Sequence, residues 1–364
     1  MNFAAPLYFI RFVIMRDWQS LGVTLGACAV AAVVTCFQYQ VYTSFVRAGA
    51  AAPRLIGGDV WVSAASIECF DFPAYFSEDY AGQLSRYFPD ARMRRVAFGF
   101  TEWRSPTGKR GNVAIIGIDD ANLADDTFIA EQSDLKRLNL TGAAGELATV
   151  GTDTLALAST TDRLPTFLGA PYLIVSFARA RSILGTDTAS TAFLVLDGVG
   201  GAALRPAVAA ASAGLPELAI RSAPDFAASS SGYWRGKTGA GSAILLAAIL
   251  ASLLMVILLV NGVLRFIQRY HQDLVSMLGH GADRNDIAVA ATGIAVIVAA
   301  ATLFCVFTVT PLMIELAKPL LPWTTFTLGD ALLPAAAVFA ALAMAIGAAR
   351  RAVLAYGHEA VFRS

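Results

Sequence analysis

Four stretches of this sequence run for about the length of a bilayer crossing without one acidic or basic side chain: residues 18–46, 238–264, 287–314 and 331–349. Spanning hydrocarbon takes ~20 apolar residues, and a helix satisfies its own backbone there. The chain is 56% hydrophobic and only 15% charged, too apolar for an ordinary water-soluble domain. The expected fold class is an α-helical membrane protein with four transmembrane helices. The first run is too long for a cleaved signal peptide, although Ala48-Gly49-Ala50 looks like a cleavage site, so it reads as an uncleaved helix.

Residues 47–237 differ in composition. Asp, Arg, Ser, Thr, Gly and Pro punctuate short segments, and the length suffices for one sizeable domain or two small lobes. Asp59-Val60-Trp61-Val62-Ser63 alternates as a strand does. Residues 94–104 and 112–118 read as a hairpin joined across the turn from Ser105 to Gly111. Strands are also expected at 152–157, 172–175, 192–196 and 217–221. A helix is expected at 77–88 with Ser77 as its N-cap, another at 202–213, and a short linker in the Ala/Ser tract 227–231. The expectation is a large extracytoplasmic α+β domain between the first and second transmembrane helices.

The shorter polar pieces set the orientation. Arg11 and Arg16 lie in residues 1–17, which read as an interfacial helix. Arg265, Arg269 and Arg284 flank the connection 265–286, and Arg350, Arg351 and Arg363 lie in the tail 350–364. Residues 315–330 hold only Glu315, Lys318 and Asp330. The positive-inside rule then puts both termini and the 265–286 connection in the cytoplasm, with the large domain outside. That connection carries a small apolar cluster at helical spacing, Leu274, Val275, Met277 and Leu278, before Gly279 and Gly281 break the pattern. A bare loop has no need of such a stripe, which suits docking to another protein.

Chemistry-bearing motifs are sparse. Gly236-Lys237-Thr238 resembles the end of a phosphate-binding loop, but Ser231 stands where the leading Gly belongs. Asp119, Asp120, Asp125 and Asp126 form an acidic cluster without regular calcium-loop spacing. His271, His280 and His358 all fall on the opposite side from it, so no catalytic or metal-binding constellation can be placed. Asn139-Leu140-Thr141 matches a glycosylation sequon by pattern. Cys28, Cys36 and Cys305 lie in apolar runs, which leaves Cys69 without a disulfide partner. Lys+Arg and Asp+Glu both number 27, so no basic excess points to nucleic acid. No charged residue sits in the middle of a span, as a proton- or ion-coupled carrier would need. The chain is expected not to be an enzyme, and to hold no cofactor of its own.

Several segments together resemble a known family. Tyr233-Trp234, then Thr238-Gly239-Ala240-Gly241, then Leu274 and Met277-Leu278-Gly279-His280-Gly281-Ala282-Asp283-Arg284-Asn285-Asp286-Ile287 are similar to the FtsX/MacB-type permeases of ABC systems. The loop form there is close to L-K-A-x-G-A-S-x-x-x-I. Ser276 and Met277 replace its Lys-Ala, His280 stands near its Ala, and Asp283 replaces its Ser. Gln38-Tyr39-Gln40-Val41-Tyr42, Asp59-Val60-Trp61-Val62, and the hairpin from Trp103 through Lys109-Arg110 to Ile116-Gly117-Ile118-Asp119 look most like the DevC branch, the permeases of glycolipid exporters.

The resemblance implies an ATPase-docking (coupling) helix formed by Leu274, Met277, Leu278, Gly279, His280 and Arg284, with Trp103, Lys109 and Arg110 as adaptor-contact candidates. It implies a homodimer in a bacterial inner membrane, working with a cytoplasmic ABC ATPase that binds the ATP and Mg. A periplasmic membrane-fusion adaptor, often with an outer-membrane channel, would complete the assembly. The function implied is export of a lipid or other amphipathic substrate, driven by motion of the periplasmic domain. The alternative within the same superfamily is a transmembrane signalling anchor that activates a cell-wall hydrolase without transport.

Overall fold

The computed structural model of the protein describes residues 4–16, 18–119, 123–166, 169–270, 272–273, 276 and 283–359. They form two compact units. One comprises residues 1–43, 242–318 and 324–364; the other comprises 44–241 and 319–323.

The first unit is helical. After α1 (Ala4–Arg16) come α2 (Trp18–Ala48), α9 (Gly239–Arg269), α10 (Arg284–Ala317) and α11 (Leu328–Glu359), the numbering leaving room for the helices of the inserted domain. Four of these, all but α1, are long and apolar enough to cross a membrane. Small side chains let α10 and α11 approach closely: Ala290, Ala291 and Ala295 share a buried cluster with Ala341, Ala345 and Ala349. Without a hydrophobic drive between helices in lipid, such contacts hold a bundle together. Helix α9 contributes least to the interior and leaves Leu246, Leu250, Leu253 and Ile257 exposed. Buried Gln40 on α2 is fully used: its Nε2 donates to the Thr327 carbonyl (2.8 Å) and its Oε1 accepts from the Thr327 amide (3.2 Å). That pair fixes the entry of α11, where the Thr327 hydroxyl also bonds Asp330.

The second unit is built on one strand. Its elements are α3 (Ala51–Ile56), β1 (Val60–Ala64), β2 (Phe76–Ser77), α4 (Tyr80–Leu84), β3 (Arg92–Arg104), β4 (Arg110–Ile118), β5 (Thr127–Glu131), α5 (Leu135–Leu138), β6 (Leu147–Val150) and β7 (Asp153–Thr161). They continue through β8 (Tyr172–Ser176), α6 (Phe177–Leu184), β9 (Ser190–Thr191), β10 (Phe193–Asp197), α7 (Leu204–Gly214), β11 (Leu218–Ser222) and α8 (Ala223–Gly236). The large sheet runs β11-β1-β10-β3-β4-β8-β5-β7-β6, and β6 then returns to pair with β3. The segment from β3 to β6 therefore closes on itself as a barrel, while β11, β1 and β10 extend from the near half of β3 as an open sheet. The long β3 serves both: Met93 to Val96 face β10, Val96 to Arg104 face β4, and Trp103 and Arg104 also face β6.

Three cores follow from this. Every barrel strand sends side chains inward to a cluster that includes Val113, Phe128, Val150, Leu157 and Leu173. The outer face of β3, β4 and β8 packs with Trp61, Phe70, Phe193 and Phe226. The opposite face of the open sheet is covered by Leu84 and Phe88 from the α4 region and by Ala211 and Leu215 of the α7 region. Strand β8 is buried on both faces, which is why it reads as an unbroken apolar run.

Two sequence expectations are corrected here. Residues 77–88 do not form one helix. Phe76 and Ser77 pair with β9, the Ser77 hydroxyl is used in a local turn with Asp79, and the helix is limited to Tyr80–Leu84. The tract 227–231 is not a linker but the middle of α8. Ser222 caps that helix by accepting from the Asp225 amide, Pro224 sits in its first turn, and Phe226, Ala227, Ser230 and Trp234 line its buried stripe. The hairpin and the strands near 153–161, 172–176, 193–197 and 218–222 agree with expectation; β5, β6 and α6 had no clear sequence signal.

Helix α6 lies on the barrel where Gly117 has no side chain. A Cβ there would come 2.2 Å from the Ala180 Cβ, between two rigid elements. We expect Gly117→Val to cost on the order of 3 kcal/mol through overpacking, read as a lowered unfolding midpoint of the detergent-purified chain, with Gly111→Ala at the exposed start of β4 nearly neutral.

Candidate functional site

The residues singled out in the sequence fall into two groups. Leu274, Met277, Leu278, Gly279 and His280 lie outside the described residues, as does Asp120 of the acidic cluster. Arg284 is the first residue of α10. That helix opens with a capping box: the Asp283 carboxylate accepts from the Asp286 amide, and the Asp283 amide donates to Asp286 Oδ2 (3.0 Å). Asp and Ser are equivalent in this role, so Asp283 keeps the helix start that a Ser would provide.

The hairpin tip is a built structure. The Ser105 amide donates to the Lys109 carbonyl (2.8 Å), and the Lys109 amide donates to Ser105 Oγ (3.0 Å). Gly108 sits at φ +87°, a conformation glycine adopts without strain. Lys109 and Arg110 are exposed on this turn. Trp103 is not: it is 3% exposed, its indole Nε1 donates to the Leu138 carbonyl, and its ring meets Phe128 edge-on. The candidate contact surface at the tip is therefore Lys109 and Arg110, with Trp103 as the internal peg that holds it. Among the described residues no group of three His, Cys, Asp or Glu side chains converges as metal ligands would.

A second constellation had no sequence signal beyond its aromatic residues. Phe45, Gly49, Trp234 and Trp323 all belong to the inserted unit and meet at one place. Phe45 stands edge-on to both Trp234 (6.1 Å) and Trp323 (5.6 Å). Gly49 is required here, since a Cβ would lie 2.6 Å from the Trp234 ring. The indole of Trp234 donates to Asp71 Oδ2 (2.9 Å), and the Tyr172 hydroxyl from β8 donates to Asp71 Oδ1 (3.0 Å). Ser230 adds a bond to the Gly49 carbonyl (2.5 Å) and accepts from the Phe70 amide. One buried carboxylate thus ties the barrel wall to α8, the helix that leads into the second apolar run.

The same junction accounts for Gly236-Lys237-Thr238. Lys237 Nζ pairs with Glu68 (2.6 Å), and the Thr238 hydroxyl donates to the Trp234 carbonyl (2.7 Å). These groups are occupied in joining α8 to α9, with Gly241 passing so near the Trp234 carbonyl that a Cβ would sit 2.4 Å from it.

Burial pushes the Asp71 carboxyl up to about 6, against the stabilising bonds from Trp234 and Tyr172. Burial also raises Glu131, at the end of β5, to about 7, although it accepts the Leu164 amide. Its buried neighbour Asp134, bonded to Thr166, is raised in the same direction.

No family model matches the chain, and no curated protein matches it. Among solved structures it is similar to the periplasmic region of MacB from Actinobacillus actinomycetemcomitans, at 7% identity over 46% of this chain and 89% of that one, with a TM-score of 0.34. It is also similar to the extracellular domain of the noncanonic ABC-type transporter YknZ from Gram-positive bacteria, at 11% identity over 45% and 98%, with a TM-score of 0.33.

The raised acids give a pH dependence with a definite sign. A carboxyl raised in the folded state binds its proton more tightly than in the unfolded chain, so the extra stability is complete below about pH 4. It is lost as pH rises through about 6 for Asp71 and about 7 for Glu131. Asp71 alone is expected to contribute on the order of 3 kcal/mol to that decline. Melting followed by Trp fluorescence between pH 4 and 8 should show it, and Asp71→Asn should remove the part centred near pH 6 while leaving that of Glu131 and keeping an acceptor for Trp234. Asp71→Ala should instead lower stability at every pH by ~1–3 kcal/mol per abandoned donor.

Proposed function

We propose that the chain is the permease subunit of an ABC exporter, driven by a separate cytoplasmic ATPase. The observation that carries the reading is the arrangement of the sequence: a large folded domain inserted between the first and second of four membrane-length helices, followed by a short polar connection with an apolar stripe. A carrier of ions would need charge within its spans, and a channel would need polar ones. An outer domain that is moved by a cytoplasmic motor needs neither. It needs a surface for the motor, stiff helices and a rigid connection to the domain.

On this reading the 265–286 connection receives the ATPase through Leu274, Met277 and Leu278. ATP and Mg are bound by that partner, and two copies of this chain work together. Both termini face the cytoplasm of a bacterium and the domain faces the periplasm, as the arginine distribution supports. Helix α8, tied to the barrel by Asp71 and running toward α9, would carry motion between membrane and domain. The exposed Lys109 and Arg110 at the hairpin tip would meet a periplasmic adaptor, which continues to an outer-membrane channel. The substrate class that suits such a machine is a lipid or other amphipathic molecule taken from the outer leaflet or the periplasm, and the resemblance to the DevC branch favours a glycolipid.

The test is co-purification with the candidate ATPase in membranes. Met277→Asp combined with Leu278→Asp should weaken ATPase retention and stimulated hydrolysis by about thirtyfold, the scale of a lost interface hot spot. Full retention in that variant would sink the docking assignment. Cross-linking from position 109 separates the exporter from the signalling anchor: an adaptor should be captured, and capture of a cell-wall hydrolase would reverse the reading.

A further inference from the structure

The helical unit contains a cavity of about 490 Å³ between α2, α9 and α10. That lies within the ~300–1,000 Å³ typical of small-molecule sites. Its polar wall is Gln19, Ser20, Arg265 and Arg269, its accessible apolar side chains are Leu21 and Val23, and the buried Val263 and Val298 form its floor. Arg265 and Arg269 are four residues apart, hence on one face of α9.

The depth of the cavity is fixed by the helices. Gly262 abuts Thr24, where a Cβ would lie 2.6 Å from the threonine methyl. At ~1.5 Å per residue, Gly262 is about 10 Å from Arg269, and Thr24 is about 9 Å from Trp18 at the start of α2. The cavity therefore occupies the first turns of α2 and the last turns of α9, and on α10 it reaches Ile294 and Val298. Trp18 is 67% exposed at the same end, as suits a side chain at the membrane–water boundary. A pocket with two guanidinium groups and hydroxyls at the water level and branched aliphatic walls below matches an anionic head with a hydrocarbon body. Arginines that only anchor a helix at the interface require no such concavity beside them.

We infer that this cavity is a binding site for an anionic phospholipid of the surrounding leaflet, its phosphate held by Arg265 and Arg269 and the start of its acyl chain lying against Leu21 and Val23. The lipid is a resident component, separate from any exported substrate, and the site does not depend on the permease reading. Basic pockets between transmembrane helices hold phosphate head groups in this way. By bridging α2 and α9, a bound lipid would bias how those helices pack.

The test uses the full chain in nanodiscs of phosphatidylcholine alone or with phosphatidylglycerol, followed by native mass spectrometry of the released protein. Phosphatidylglycerol should be retained in preference to phosphatidylcholine. Arg265→Gln with Arg269→Gln should reduce that retention by about thirtyfold, two basic contacts each contributing about fivefold. The Arg265→Lys, Arg269→Lys pair should keep most of it. Val23→Trp, at an exposed position on the rim, should narrow the cavity and lower retention with both charges intact. If the glutamine pair fails to fold, the lysine pair and Val23→Trp still decide. Equal retention of the two lipids, or retention unchanged in Val23→Trp, overturns the assignment. Displacement of the lipid by millimolar inorganic phosphate would identify free phosphate as the ligand and overturn it as well.

Discussion

The inserted domain depends on the continuity of β3. Thirteen residues long, it is hydrogen-bonded to β10 over its first part, to β4 over its second and to β6 at its end. One strand can serve an open sheet and a closed barrel because its two faces are separate surfaces of period two. Ala97 and Trp103 point into the barrel, while Val96 and Phe98 point to the aromatic cluster outside. Among the described strands, β3 alone joins β10 to the barrel by backbone hydrogen bonds, and the aromatic cluster of Trp61, Phe70, Phe193 and Phe226 adds a side-chain connection. The exposed tip carrying Lys109 and Arg110 is the far end of this same strand, so its position is set by the whole sheet and not by a loop.

The Asp71 junction has a different logic. A carboxylate buried in an apolar surround opposes its own ionisation, yet here it gathers two donors that would otherwise be stranded, the Trp234 indole and the Tyr172 hydroxyl. The donors come from α8 and β8, so the carboxylate spends its acceptors on elements far apart in sequence. An apolar contact would hold the same elements together but would tolerate sliding. Two separate hydrogen bonds to one carboxylate do not, because their geometry is directional. On the proposed reading, that directionality would let α8 carry displacement without slipping against the barrel.

The amino-acid sequence discloses what is local. Charge-free runs identify the four long helices, and alternation on either side of Ser105-Pro106-Thr107-Gly108 identifies the hairpin. It conceals what depends on partners remote in the chain. Ala227 to Ser231 looks like a linker because its side chains are small and polar, whereas Ser229 and Ser230 spend their hydroxyls on the Glu68 and Gly49 carbonyls. Trp103 looks like a surface aromatic beside Arg104, whereas closure of the barrel by β6 buries it. Asp71 stands between two phenylalanines with no periodicity to mark it. Only the return of Tyr172 and Trp234, more than a hundred residues later, gives it a role.

The helical unit divides its surface unequally. Alanine-lined α10 and α11 close against each other through small side chains, whereas α9 turns a row of leucine and isoleucine outward. In lipid that row needs no partner, since acyl chains are as apolar as leucine. It does leave α9 as the helix least held by its neighbours, and α9 is also the one that continues from α8 and ends at Arg265 and Arg269. Along its length α9 therefore has few side-chain contacts within the chain, while its last turns carry the two arginines. On the proposed reading, tight packing along the whole of α9 would resist displacement, and its sparse contacts would lower that resistance.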